Sequence, residues 1–568
     1  MLSELRVPLL DLLNEMKATP ASSWPDLATK SLIAPLPKKG DLSDTGNWRG
    51  IVLMCHLTKL YDALLMQRLR NAVDHLLKYT QNAFRQDRGT AHHIAALKIL
   101  TDVAKTHHDY PLHGCFVDFS KAFDSVFWKG IVRRLQFWNC PDLFIKEIFK
   151  VMQDHTLYVR TADGLLSDPI SQGVGVLQGD TLAPYLFILV LDGVLQKLPE
   201  HLGALVTRPA PKQTSRQRTA KSGFHEIRIT DTAFADDICL LTHTSPNLQE
   251  LFSILEREAL DVGLRINMGR GKTERFCIGD DPGIVRNMKG EPIPVVKNYK
   301  YLGSMVLNFE KEFAKRKGCA WAAVNAFEAV WSSNVSMDLK RRLFKSLVDP
   351  IFTYAAHTWS LTRSQMNEVD GAYGRLLRRA LGLHPAFLSH DIVHTERLYG
   401  ELPFITSVIA ERRFKFCAHV FRATALCRQS HVLAYALAFD TSHLRPRVGH
   451  SNTFMATLAR DARTVFDGLH PIFMNRSKSL EVATEIRAER QTERYRAIYH
   501  RRASHMQSYF DEDAEIDPDT NKRKRRAPRS VTIPDPTVMP LQVRPRASDV
   551  KFEWPISEES ESSALPEW

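Results

Sequence analysis

Two adjacent aspartates interrupt an apolar stretch, and no other feature limits the possible folds of this 568-residue chain as strongly. Phe234-Ala235-Asp236-Asp237 lies between the apolar runs 227–233 and 238–241, a pattern that predicts a hairpin with the acids at its tip. Two like charges there repel each other and lose hydration, which is costly unless a divalent cation neutralises them. The sequence therefore predicts a metal site at this turn.

A third carboxylate follows an apolar strand far upstream. Asp118 comes directly after Cys115-Phe116-Val117 and could share the same site. Mg²⁺ prefers oxygen ligands, with few from protein carboxylates and the rest from water and substrate phosphates. Asp118, Asp236 and Asp237 are therefore sufficient for two ions, an arrangement that implies phosphoryl transfer. Asp124 precedes the amphipathic stretch 125–137 and is interpreted as a helix-start carboxylate instead of a ligand.

Seven short motifs in a fixed order resemble the reverse transcriptase domain of non-LTR, LINE-type retrotransposons. They are Pro37-Lys38-Lys39-Gly40-Asp41 with Asn47-Trp48-Arg49, Gln81-Asn82-Ala83-Phe84-Arg85, Asp118-Phe119-Ser120-Lys121-Ala122-Phe123-Asp124, Gln178-Gly179-Asp180-Thr181-Leu182-Ala183-Pro184, Phe234-Ala235-Asp236-Asp237, Gly263-Leu264-Arg265-Ile266-Asn267 and Tyr301-Leu302-Gly303. One such box is a weak signal, whereas seven in family order are specific. The resemblance implies an RNA-directed DNA polymerase with a mixed α/β (α+β) right-hand fold of fingers, palm and thumb.

The resemblance also assigns roles to individual residues. Asp118, Asp236 and Asp237 would hold two Mg²⁺ ions, for which Mn²⁺ can substitute, and Lys272 would protonate the departing pyrophosphate. The residues that would contact the nucleotide and the template are Lys38 or Lys39, Arg49, Phe119, Phe123, Gln178, Gly179, Phe234 and Ala235. Tyr301-Leu302-Gly303 would be the primer grip. The chain departs from the family between Asn267 and Lys272, where four residues intervene instead of about two.

Some of these residues have a second interpretation. An aromatic ring at Phe123, five residues after Asp118, would collide with a ribonucleotide 2′ hydroxyl, but an aromatic residue there is otherwise ordinary packing. Lys38-Lys39 is alternatively a solvated turn. The whole chain is alternatively an inactive RNA-binding remnant of an element, or a palm polymerase that copies RNA into RNA.

Composition and motif positions divide the chain into five regions. We expect fingers over residues 1–112, a catalytic palm over 113–308, a helical thumb over 309–400, a helical extension over 401–510 and a disordered charged tail over 511–568. Residues 204–224, rich in Lys, Arg, Thr and Pro, predict an exposed loop. Leu339, Leu343, Leu347 and Ile351 recur every four residues and predict a buried helix face in the thumb, with Ser336 as its cap and a kink or end at Pro350.

Charge and cysteine usage agree with a nucleic-acid enzyme. A formal net charge of +12 attracts phosphates, and the expected partners are an RNA template, a DNA primer or target DNA and deoxynucleoside triphosphates. Scattered cysteines without a CxxC pair and no long apolar span predict a protein of the nucleus and cytoplasm that does not enter a membrane. Residues 522–526 resemble a nuclear import signal, no endonuclease is recognised, and Cys417, His419, Cys427 and His431 match no common zinc finger.

Overall fold

The computed structural model describes residues 2–38, 40–153, 155–160, 164–209, 224–279, 282–383, 397–427, 432–447, 452–462, 472–473 and 475–510. Several sequence-based expectations fall outside this part of the chain: Lys39, His431, the side chain of Cys427, the basic run 522–526 and the tail 511–568.

Strands and helices alternate along the described chain, so the predicted mixed α/β class is confirmed. The strands are β1 Lys30–Pro37, β2 Trp48–Leu53, β3 Leu112–Val117, β4 Thr156–Val159, β5 Ile170–Ser171, β6 Ala204–Pro209, β7 Phe224–Ile229, β8 Asp231–Phe234, β9 Asp237–Thr242, β10 Glu274–Ile278, β11 Lys300–Tyr301 and β12 Ser304–Met305. The helices are α1 Leu2–Ala18, α2 Asp26–Thr29, α3 His56–Val73, α4 Thr90–Thr106, α5 Ala122–Ser125, α6 Trp128–Phe137, α7 Asp142–Gln153, α8 Ala183–Leu195, α9 Ser245–Asp261, α10 Phe309–Ala326, α11 Glu328–Trp331, α12 Met337–Leu347, α13 Asp349–Phe352, α14 Arg363–Leu381, α15 Ile405–Cys427, α16 Val432–Leu437, α17 Phe454–Ala462 and α18 Arg476–Phe510.

A four-stranded sheet lies at the centre, with the order β10-β3-β9-β8 and antiparallel neighbours. Successive side chains of a strand face opposite sides of a sheet. In β3, Cys115 and Val117 accordingly enter one apolar core, whereas Phe116 enters another. Because both faces are covered, β3 and β9 are apolar at almost every position, and an acid can reach solvent only where these strands end.

A second sheet, with the order β2-β1-β4-β5, contains the basic turn between β1 and β2. The Val52 backbone N–H donates to the Gln178 carbonyl at 2.6 Å, and Val52 also packs in the apolar core that contains Cys115 and Val117 of the central sheet. The β1–β2 hairpin therefore reaches toward the loop that precedes α8.

Several helices form where the sequence predicts them. Most of the amphipathic stretch 125–137 is α6, and the apolar residues that follow Leu182 form the buried α8. Ser336 caps α12 by accepting a hydrogen bond from the Leu339 N–H at 3.3 Å, and α12 ends at Leu347, before Pro350.

The predicted buried face of α12 is confirmed only in part. Leu343 and Leu347 pack against the neighbouring core, but Leu339 is 39% exposed and Phe344 is the fully buried residue of this helix. Phe344 packs edge-on against Tyr373 of α14. An aromatic partner on the neighbouring helix decides which face is buried, and the spacing of leucines within α12 carries no information about that partner.

The prediction of a loop over 204–224 is also wrong at both ends. Residues 204–209 and 224–229 form the antiparallel pair β6 and β7, in which Ala204, Val206 and Ile229 are buried. The apolar core beside them also includes Phe414, Leu433 and Phe454 from the C-terminal helices. The expected C-terminal extension thus shares a core with the central sheet. No helix in the described part of the chain is both long and apolar enough to cross a membrane.

Candidate active site

Strand register brings the three predicted carboxylates together. Val117 is paired with Ile238 across β3 and β9, so Asp118, the next residue, lies opposite Asp237. Residues directly opposite in an antiparallel pair have Cβ atoms about 4.5–5.5 Å apart. Asp236 comes directly before Asp237 and is the second residue of the two-residue turn between β8 and β9. Residues that are more than a hundred positions apart therefore meet at one end of the central sheet.

The carboxylates perturb one another. Loss of hydration, the charge of Asp236 and the charge of Asp118 raise the pKa of Asp237 to about 6, although that residue keeps an exposed edge. The pKa of Asp236 is also raised, first by loss of hydration and then by the charge of Asp118. Lys272 opposes both shifts, with Lys300 beside Asp237 and Arg49 beside Asp236.

Asp118 is oriented by the segment that follows α9. The Asn267 side-chain amide donates to Asp118 Oδ2 at 3.0 Å, and the Lys272 ammonium lies 3.5 Å from the same oxygen. The longer spacing before Lys272 is absorbed by a turn in which the Gly269 N–H donates to Asn267 Oδ1 and Gly271 adopts φ +74°. The extra residues therefore do not remove Lys272 from the acids.

The position of Lys272 is also fixed from the opposite side. The Tyr299 hydroxyl donates to the Lys272 carbonyl at 2.8 Å, and the Tyr299 ring stacks on Phe116 with centroids 4.1 Å apart. Phe116 belongs to β3, the strand that ends at Val117, directly before Asp118. One strand therefore supports both the acid and the backbone that carries the ammonium.

Two of the residues predicted to contact the nucleotide, Lys38 and Arg49, belong to the hairpin of β1 and β2. Arg49 is close enough to Asp236 for its charge to oppose the rise in the pKa of that carboxyl group. Lys38 is exposed and its ammonium donates to the Gly46 carbonyl at 3.3 Å. Because Lys39 lies outside the described residues, the choice between the two lysines stays open.

The structure explains why a glycine is required at position 179. Gly179 adopts φ +127°, and a Cβ atom there would lie 2.3 Å from the Val52 carbonyl oxygen. The adjacent Gln178 side chain donates to Asp124 Oδ1 at 3.1 Å. Asp124 lies in the short α5 and not at the start of the amphipathic helix α6, and its carboxylate positions Gln178.

The two predicted aromatic contacts differ in exposure. Phe123 is half-buried and stacks on Phe187, with centroids 4.4 Å apart, so it combines packing with an accessible edge. Phe119 is only 5% exposed and belongs to the apolar core. The structure therefore does not bring the Phe119 side chain to the site, in contrast to the prediction. Phe234 is half-buried and Ala235 is buried beside the acids.

The predicted primer grip is a tight turn held from behind by α10. Tyr301 and Leu302 are buried, and their turn has left-handed backbone at Leu302 and Gly303. The Gly303 carbonyl accepts hydrogen bonds from both Lys315 and Arg316, and the Leu302 carbonyl accepts one from Tyr354. Because the Tyr301 and Leu302 side chains are buried, a primer grip at this turn would act through its backbone.

The acidic end of the sheet fits divalent cations. Loss of hydration and repulsion between the carboxylates raise the pKa values of Asp236 and Asp237. A bound cation would relieve this repulsion. Among the described residues, no group of three His, Cys, Asp or Glu side chains is arranged so that it could hold a metal ion without further ligands. An open set of carboxylates suits an ion that takes its other ligands from water and phosphate.

Sequence reasoning missed two residues at this site. Lys300 precedes the predicted primer grip, and its charge reaches Asp237. Gln81 was identified only as part of a motif, yet its side chain accepts a hydrogen bond from the Ala235 N–H at 3.2 Å. No local pattern marks such a contact, because its two ends lie on separate elements.

Comparisons with known proteins find similar sequences over the region that contains the candidate site. A family profile described as "Reverse transcriptase (RNA-dependent DNA polymerase)" matches residues 36–306. The chain is 24% identical over 380 residues to the RNA-directed DNA polymerase from mobile element jockey of Drosophila funebris, covering 64% of this chain and 39% of that protein. It is 25% identical over 359 residues to a Pol polyprotein from the type-1 retrotransposable element R2 of Popillia japonica, covering 61% of this chain and 47% of the relative.

The chain thus spans less than half the length of either of these relatives. Among solved structures, apo telomerase from Candida tropicalis is similar over 75% of this chain and 74% of its own, with 12% identity and a TM-score of 0.33.

Proposed function

We propose that this chain, whose residues 36–306 are a reverse transcriptase domain of the non-LTR, LINE type, is an RNA-directed DNA polymerase that extends a primer 3′ hydroxyl with deoxynucleotides. The observation that carries the proposal is the register of β3 and β9. It sets Asp118 opposite Asp237 and beside Asp236, with the Lys272 ammonium 3.5 Å from Asp118.

The reaction makes one bond and breaks another. The primer hydroxyl oxygen attacks the α-phosphorus of the nucleotide, the bond to pyrophosphate breaks, and the hydroxyl loses its proton. Arg49 would hold the triphosphate by its fork of donors, and Lys272 would deliver a proton to the departing pyrophosphate. Asn267 keeps the Asp118 carboxylate in place for this step.

Divalent cations complete this proposal. Asp118, Asp236 and Asp237 would hold two Mg²⁺ ions, or Mn²⁺ in their place. Such ions lower the pKa of the attacking hydroxyl and neutralise the charge that develops on the phosphates. Phe123 would exclude a 2′ hydroxyl, and Gly179 would let the backbone approach the template pair.

The regions of the fold receive roles within the same proposal. The β1–β2 hairpin and the helices to residue 112 would be fingers, the central sheet with α8 and α9 the palm, and α10 to α14 the thumb. The RNA template and DNA primer would lie between them, and the formal net charge of +12 favours such polyanions.

Primer extension on an RNA template tests the proposal. Purified protein, an annealed DNA primer, deoxynucleotides and Mg²⁺ should give extended products, and Asp236→Ala should lower the rate on the order of 1000-fold. Asp261→Ala is the matched control, because that acid is exposed and pairs only with the exposed Arg133 in the described structure. Equal extension by wild type and Asp236→Ala, or no extension by wild type, would overturn the proposal.

A further inference from the structure

The acidic hairpin has a hydrogen-bonded support on its outer edge. β8 is the last strand of the central sheet, and residues 80–82 run alongside it as a short parallel bridge between Gln81 and Ala233. The Ala233 N–H donates to the Thr80 carbonyl and the Asn82 N–H donates to the Ala233 carbonyl, both at 3.0 Å. The edge of β8 is therefore paired up to the residue before Phe234.

Gln81 extends this support into the turn itself. Its side chain is 0% exposed, and its Oε1 atom accepts hydrogen bonds from the Ala83 N–H at 2.9 Å and from the Ala235 N–H at 3.2 Å. One oxygen thereby joins two segments that are far apart along the chain. The residue that follows Ala235 is Asp236.

The turn needs such support. Phe234 pairs with Asp237, so Ala235 and Asp236 are the two central residues, and Ala235 adopts φ +54°. Positive φ at the first central position is a conformation that favours glycine, and an alanine there is strained. A strained turn persists only when neighbouring contacts impose it, and the Gln81 oxygen holds the N–H of the strained residue.

A neutral histidine reinforces the same strand. Burial lowers the pKa of His93 to about 3, so its ring is uncharged at neutral pH. The His93 Nε2 atom lies 2.9 Å from the Ala233 carbonyl, which makes Nε2 the protonated nitrogen. The support beneath the hairpin thus contains no group that titrates near pH 7.

We propose that Gln81 is a positioning residue for catalysis: by holding the Ala235 N–H, it fixes the turn that presents Asp236 and Asp237 to Asp118. This inference rests on the proposed polymerase function, but its structural half can be tested separately. The Gln81 oxygen accepts from backbone N–H groups and not from the carboxylates, so Gln81 acts through the backbone of Ala235. A shift of about 1 Å in a reacting group is enough to cost about 100-fold in rate.

The experiment compares Gln81→Met with Gln249→Met in the full chain. Methionine keeps the length of glutamine and removes the acceptor. Gln249 is a matched control because its amide also bridges to backbone, accepting from the Arg286 N–H at 2.7 Å, at a site on α9. Gln81→Asn is a milder variant, in which the shorter side chain cannot span both donors.

Two measurements are made on each variant. The first is hydrogen exchange of a peptide that covers residues 230–241. The second is primer extension, with the rate divided by the burst amplitude so that only active molecules count, over a range of Mg²⁺ concentrations.

For Gln81→Met we expect faster exchange in the hairpin, a rate per active site about 100-fold lower and a Mg²⁺ requirement about tenfold higher. Gln81→Asn should change in the same direction by less, and Gln249→Met should match wild type. A purely structural role would lower the melting temperature and the burst amplitude but leave the rate per active site and the Mg²⁺ requirement unchanged, and that result would overturn the inference.

The two proposals fail in different ways. If neither wild type nor Gln249→Met extends a primer, the polymerase proposal fails. Hydrogen exchange of the hairpin that is unchanged in Gln81→Met rejects the positioning role, whatever the result of primer extension.

Discussion

At the scale of single residues, the candidate site depends on neighbours that orient its side chains and its backbone. Asn267 orients Asp118, Tyr299 holds the carbonyl of Lys272, and Gly179 makes room for the Val52 carbonyl. The three acids could be identified from the sequence because a carboxylate that ends a buried apolar strand is a strong pattern. Tyr299 and Gln81 could not be assigned roles, because the partners that give them one come from distant segments.

Phe123 carries the prediction for nucleotide selection. Its ring stacks on Phe187 and keeps an accessible edge, so a smaller side chain would open space without removing the buried partner. We expect Phe123→Val to raise the ratio of ribonucleotide to deoxynucleotide incorporation by about tenfold or more, measured as single-nucleotide addition.

Phe137→Val serves as the control for that measurement, since Phe137 is 66% exposed on α6. An unchanged ratio in Phe123→Val would assign the ring to packing alone.

At the scale of elements, contacts between helices decide what periodicity cannot. α12 buries only part of its predicted leucine stripe, since Phe344 and its contact with Tyr373 shift the buried face. β6 forms where a loop is predicted, because the Lys, Arg, Thr and Pro content of 204–224 as a whole hides the short apolar segment at its start. Helix ends were predicted well at Ser336 and Pro350, since caps and proline act through neighbouring backbone.

Asp349, at the start of α13, gives a pH-dependent prediction for the junction of α13 and α14. Burial raises its pKa to about 6, against the opposing hydrogen bond from the Tyr373 hydroxyl at 2.7 Å and the charges of Arg412 and Lys345. The folded protein therefore holds this proton more tightly than the unfolded chain, whose Asp pKa is about 3.9. The neutral Asp349 carboxyl therefore makes its full contribution to stability below about pH 4. This contribution is lost as the pH rises to about 6, and the free energy of unfolding falls by up to about 3 kcal/mol.

Asp349→Asn cannot ionise and should lack that loss. The melting temperature of the variant minus that of wild type is expected to increase between pH 4 and pH 7. A difference that stays constant with pH would show that Asp349 ionises in the folded protein as readily as in the unfolded chain.

At the scale of the whole molecule, the central sheet depends on the C-terminal helices. Phe414, Leu433 and Phe454 share an apolar core with Leu97 and Phe116, and the Phe454 N–H donates to Asp102 of α4 at 2.9 Å. The sequence predicts a separate extension after residue 400, where the recognisable polymerase motifs have ended. Such motifs reflect function and carry no information about which helices pack on the central sheet.

Truncation tests this dependence. A chain that ends at residue 400 should be poorly soluble or melt well below the full chain, since it exposes one face of the central sheet. A chain that ends at residue 510 should keep the melting temperature of the full chain, because the sequence of 511–568 has few large apolar residues. A soluble 1–400 fragment with unchanged melting would contradict the shared core.

The most direct test of the central claim is metal-directed cleavage of the chain. Fe²⁺ bound in place of Mg²⁺, with ascorbate and peroxide, cuts backbone only close to the ion. If Asp118, Asp236 and Asp237 form one site, cuts should appear both near residue 118 and near residues 236–237, be suppressed by excess Mg²⁺ and be lost together in Asp118→Asn. Cuts confined to the hairpin, and retained in Asp118→Asn, would contradict the account.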